Sequence, residues 1–142
     1  MTAQNFKNHT RIHPFYHYFT LPLSFGSLIF STIRIFSSPD EHKTDSILLF
    51  IAFVLIFCAI SLIRLYALKV QDRVIRAEEN FRHFQLSGKQ LDPKLRTAQI
   101  VALRFASDQE FPELAKRAVA DKLKPVEIKK AITEWRPDYK RI

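Results

Sequence analysis

His9, His13 and His17 recur at every fourth residue, the spacing that places three imidazoles on one face of a helix. Neutral imidazoles on successive turns can share one ion, so the chemistry open to them is a zinc or copper site at a membrane surface. Pro14 opposes it, because the residue before a proline is pushed out of α conformation and a helix running unbroken through all three is not expected. Ordinary interfacial histidines are the plainer reading. Other chemistry lacks its parts. There is no Gly-x-Ser-x-Gly, no His-Glu-x-x-His and no Cys/His pair, and with two glycines in 142 residues there is no glycine-rich phosphate loop. No catalytic residue and no cofactor are expected, and the carboxylates after residue 68 alternate with Lys and Arg as on a solvated helical face.

The remaining chemistry is charge. From Arg64 to Ile142 there are 18 Lys and Arg against 11 Asp and Glu, so +7 of the formal +8 lies in that part. Arg64, Lys69, Arg73 and Arg76 follow directly on an apolar run and are placed to meet anionic lipid headgroups, each contributing about 1 kcal/mol near such a surface. Nucleic acid is not expected as a partner, since no groove-reading helix or aromatic platform is recognisable.

These residues are positioned by two apolar stretches. Ile47 to Ile63 carries no charge, and Ile47 to Tyr66 as a helix covers about 30 Å, the thickness of a bilayer's hydrocarbon core. A weaker span covers about 18–36, where Pro22 and Gly26 are tolerable in lipid. Ser24, Ser27 and Ser31 share a face of it, and Ala52 and Ala59 on the second span, at about 46–66, are expected to supply the facing groove of an antiparallel hairpin. Arg34 ends the first span, where its guanidinium reaches the interface. The connection Ser37–Ser46 reads as a polar turn, with Asp45 or Ser46 capping the second span and Asp40, Glu41 or Asp45 available to Arg34. More Lys and Arg follow the second span than occupy the turn, so both termini are expected in the cytoplasm. The lone cysteine, Cys58, lies mid-span as a packing residue. No cleavage site follows Ile33, so both spans are expected to be retained.

Beyond the membrane, Ile63, Ala67, Val70, Val74, Ala77, Phe81 and Phe84 alternate spacings of four and three, drawing an apolar seam on a continuing helix. The chain's own later helices are its expected cover, with self-association or a partner as the alternatives. A charge at Val74 is then expected to disrupt the tail. Ser87-Gly88 ends this helix. Asp92-Pro93 starts the next, with Leu95, Ala98, Ala102 and Phe105 on one face and Ile100 and Leu103 on another; it should be the most buried of the tail. Ser107 or Asp108 caps a third, with Phe111, Leu114, Ala115, Ala118, Val119 and Leu123 apolar. A final helix carries Val126, Ile128, Ala131, Ile132 and Trp135.

The fold class is therefore all-α: an interfacial segment over 1–17, a transmembrane hairpin over 18–68, and a basic cytoplasmic helical domain over 69–142 that grows out of the second span. Gln4-Asn5-Phe6 with His9 and Pro14, Leu103-Arg104-Phe105-Ala106-Ser107-Asp108 leading to Phe111-Pro112-Glu113-Leu114, and Ile128-Lys129-Lys130-Ala131-Ile132 with Trp135 resemble an uncharacterised bacterial family of short two-pass membrane proteins. The resemblance implies architecture and no activity. The expected role is interaction: an accessory or scaffolding subunit of the inner membrane, engaging a larger complex or lipid, with a self-assembling transport component as the alternative.

Overall fold

The computed structural model describes residues 4–9 and 12–138. Their regular structure is helical, apart from an isolated bridge between Ala106 and Trp135. The chain divides into two compact units, residues 12–67 and residues 4–9 with 68–138, and α2, Lys43–Ser87, runs through the division as one helix.

The helical part of the first unit starts at Pro14, followed by a wide π-helical segment, Phe15–Thr20, and α1, Leu21–Ser37. Pro22 explains the wide turns: it has no N–H to give and its ring crowds the carbonyl four residues back, so the preceding turn loosens until the Leu21 N–H reaches the Tyr16 carbonyl. Ser24 and Ser31 are buried and Ser27 half-buried, as their shared face predicts. Each hydroxyl donates to a carbonyl of its own helix, Ser24 to Leu21, Ser27 to Leu23 and Ser31 to Leu28, at 2.9 Å, so no hydroxyl on α1's serine face lacks a partner.

The facing groove is not made by alanines. Ala52 and Ala59 are exposed, and the covered stripe of α2 includes Ser46, Phe50, Val54, Phe57, Ser61 and Arg64. Small size is the wrong guide here: the contact stripe is set by the turn, where buried Ser38 and Ser46 join hydroxyls at 2.8 Å. α2 begins at Lys43, so Asp45 and Ser46 lie inside it and neither caps it; Asp40 pairs with Lys43 at 2.5 Å, and Arg34 is exposed. The two helices Phe15–Ser37 and Asp40–Ser87 are long and apolar enough to cross a membrane, and only 11% and 6% of their most apolar windows are buried by the chain.

In the second unit α2 ends where Gly88 takes the left-handed conformation, φ 70°, and its N–H reaches the Phe84 carbonyl. Asp92 closes a turn and starts no helix: the N–H of Lys94 reaches its carboxylate and that of Leu95 its carbonyl. The helix expected there starts later, as α3, Thr97–Leu103. Ile100, Ala102 and Leu103 are buried as expected, while Ala98 is exposed and its place inside is taken by Gln99, which is satisfied by the Arg96 N–H and the Leu123 carbonyl, both at 2.8 Å. α4, Phe111–Ala120, buries Phe111, Leu114, Ala115 and Ala118, with Val119 and Leu123 partly buried. α5, Pro125–Ala131, buries Ile128 but leaves Val126 exposed. It stops before Trp135, which packs on the core from an extended segment.

α4 closes with paired bonds from the Leu123 N–H to the Ala118 carbonyl and from the Lys122 N–H to that of Val119. Lys122 must therefore adopt a left-handed φ of 52°. Lys122→Gly relieves its Cβ crowding and should stabilise this unit by about 0.5–1 kcal/mol, read as a higher midpoint in thermal unfolding.

Candidate functional site

The stretches that carry the family resemblance, Pro14 apart, come together around one turn, residues 103–108. Arg82, on α2, is inserted beneath it. Its Nε and Nη2 donate to Asp108 Oδ1 at 2.7 and 2.6 Å, Nη2 also to the Ala106 carbonyl at 2.8 Å, and Nη1 to Glu79 at 2.8 Å and to the Arg104 carbonyl at 3.5 Å. The guanidinium lies 4.6 Å from the centre of the Phe111 ring, which makes a T-shaped contact with His83 at 5.6 Å between centroids. His83 Nδ1 faces the Lys89 carbonyl at 2.7 Å, which ties the end of α2 to the chain that leaves it. Burial raises the Glu79 carboxyl above its ordinary value, and the bond to Arg82 and the charges of Arg82 and Arg136 oppose the rise.

The last described segment docks on the same turn. The Arg136 N–H donates to the Phe105 carbonyl at 2.7 Å and the Ser107 N–H to the Glu134 carbonyl at 3.1 Å, on either side of the Ala106–Trp135 bridge. Glu110 accepts from the Thr133 N–H and hydroxyl and from the Glu134 N–H. Buried Arg104 covers the Phe105 ring, pairs with Asp138 at 2.8 Å and donates to the Val101 carbonyl.

Residues 4–9 complete the arrangement, although they read in sequence as interfacial. Gln4 accepts from the Asp138 N–H at 2.8 Å. The His9 ring lies 5.7 Å from Phe105 and 5.8 Å from Trp135. Its Nδ1 is 2.8 Å from the Phe6 carbonyl, which can only accept, so Nδ1 carries the proton and Nε2 accepts from Lys129 at 2.9 Å. Both ring nitrogens are thus engaged within the protein. His13 and His17 belong to the other unit, and among the described residues no group of three or more His, Cys, Asp or Glu is gathered to hold a metal.

The basic residues keep their exposure. Lys69, Arg73 and Arg76 are exposed on α2, and half-buried Arg64 lies 5.5 Å from the centre of the Tyr16 ring. The apolar seam departs from expectation. Val70, Val74, Phe81 and Phe84 are 60%, 49%, 62% and 51% exposed, and the later helices do not cover them. Instead α2 turns Ile75, Glu79, Arg82 and His83 into its own unit. A charge at Val74 is accordingly expected to leave the tail folded. Periodicity misses this face because three of its four residues are polar; the one local signal is the Glu79–Arg82 pair at i, i+3, which can neutralise itself on burial.

Chemically this is a clamp. Arg82 spends its donors on protein acceptors, and Glu79 is held between arginines, so the cluster organises backbone around a buried ion pair. No curated protein and no solved structure matches the chain. The residues of the resemblance, Pro14 apart, nevertheless belong to one packed unit, and the chain belongs to the family of unknown function DUF6526, whose model it matches over residues 1–142.

Proposed function

We propose that this is a two-span protein of the bacterial inner membrane, with both termini in the cytoplasm, that acts without catalysis as an accessory or scaffolding subunit through its basic helical domain. One observation carries the topology. Residues 4–9 pack against Phe105, Trp135 and Asp138, so the chain before the first apolar helix and the chain after the second share a compartment. That supports an even number of crossings between them. The apolar surface that the chain leaves uncovered on both long helices agrees with two. Lys and Arg are concentrated after the second span, which favours the cytoplasm as that compartment. The scaffolding role is supported by the commitment of the buried charges to internal partners and by the exposed surface of α2.

The turn is the place to test orientation. Ser38 is buried, so the reporter belongs at exposed Glu41. In a Cys58→Ala background, Glu41→Cys should react with a membrane-impermeant maleimide added to the outside of spheroplasts. Reaction only after lysis would overturn the orientation. Purification at native expression should bring down a larger membrane complex, whereas ion conduction by the purified protein in liposomes would replace the scaffold with a transport component.

A further inference from the structure

α2 has two unlike faces beyond the second span. One, with Ile75, Glu79, Arg82 and His83, is buried in its own unit. The other holds Val70, Val74, Ala77, Phe81 and Phe84, all exposed, at steps of four, three, four and three. That is a heptad seam: Val74 and Phe81 fall at a, and Val70, Ala77 and Phe84 at d. The buried residues fall at b, c and f, the positions a coiled coil turns away from its partner. The intramolecular packing therefore leaves the seam free and presents it outward.

We propose that this seam binds a second copy of the chain as a parallel two-stranded coiled coil. Charge selects the occupant. Arg73 lies at g and Glu78 at the following e, both exposed. In a parallel pair each g meets the partner's next e, so Arg73 of each copy meets Glu78 of the other. The antiparallel arrangement sets Arg73 near Asn80 and Gln71 near Glu78, with no opposite-charge pair. Among the described residues, neither Arg73 nor Glu78 has an ion pair within its own chain. The parallel sense also follows from the membrane reading, on which this point rests: the seam is on the helix that carries the second span, so two copies inserted alike send it out alike. Lipid is a poor occupant, since Val70 to Phe84 takes up roughly 21 Å of helix after the span has ended.

The test uses the full chain with Cys58→Ala in nanodiscs. Val74→Cys and Phe81→Cys should form covalent dimers under mild oxidation, and Arg76→Cys, exposed at a c position, should not. Arg73→Glu or Glu78→Arg alone should weaken association roughly fivefold, as expected for losing two exposed ion pairs, and the two together should restore it. Equal cross-linking at all three positions, or a monomeric mass by light scattering, overturns the dimer. Mixed Val70→Cys and Phe84→Cys proteins that join only to each other overturn the parallel sense. A bimane on Val74→Cys quenched by brominated lipid shows the seam in the membrane and also sinks the proposal. Failure of the membrane reading registers separately, at Glu41.

Discussion

Arg82→Met should destabilise the helical unit by about 3–5 kcal/mol, because it leaves the Glu79 carboxylate buried beside the carbonyls of Arg104 and Ala106 with their donor removed. In a unit of this size the thermal midpoint of the detergent-solubilised protein should fall by about 15 °C or more. The loss should depend on pH with a definite sign. Burial raises the folded carboxyl above the unfolded value of 4.5, so the folded state holds the proton more tightly. Glu79's contribution is then fully present below that value and is lost as pH rises through the raised folded one. Arg82 opposes the rise, so Arg82→Met should widen and deepen the loss. Adding Glu79→Gln should remove that pH dependence and recover part of the stability. A double variant no more stable than Arg82→Met, with the same pH profile, would show that the damage comes from the turn's carbonyls alone. Asp108 is largely exposed and should count for little.

Phe111→Ala should be comparably damaging. The ring is fully buried at the start of α4, against the Arg82 guanidinium and in T-shaped contact with His83. Its removal costs about 3–5 kcal/mol for the lost transfer energy and the cavity left behind. Phe84→Ala is the control, since that ring is exposed on the seam. It should leave unfolding of the monomer within about 0.5 kcal/mol while weakening self-association. Similar midpoints for the two variants would mean that the core is not centred on Phe111.

The contrast between these two phenylalanines marks what the sequence could disclose. Both sit at helical spacing among apolar neighbours, and periodicity alone assigns both to a core. It succeeds on α4, where the apolar stripe is the buried one, and it correctly ends α2 at Gly88. On α2 it chooses the wrong side. A face with a Glu, an Arg and a His reads as solvated, yet those groups are buried because each finds a partner beyond its own helical turn, as Arg82 finds Asp108 at 26 residues' separation. No local window contains both ends of such a bond. The same limit hides residues 4–9, whose partners are Phe105, Lys129, Trp135 and Asp138. It also explains the shortened α5: Trp135 continues the helical pattern, but the bridge to Ala106 offers its backbone a better partner than another turn. Pro14 argues against the histidine triad in sequence; in the structure His9 is drawn away by its own aromatic neighbours.

The bond between Gln4 and Asp138 spans 134 residues, so its earlier end waits for its partner while everything between is synthesised. At ordinary translation speeds that interval is roughly ten seconds. During it two apolar helices must be disposed of while His9 waits for the rings of Phe105 and Trp135. The N-terminal segment therefore finds its full set of partners only on a chain synthesised through Asp138; one stalled before Trp135 offers it Phe105 and Lys129 but neither the indole nor the Asp138 N–H.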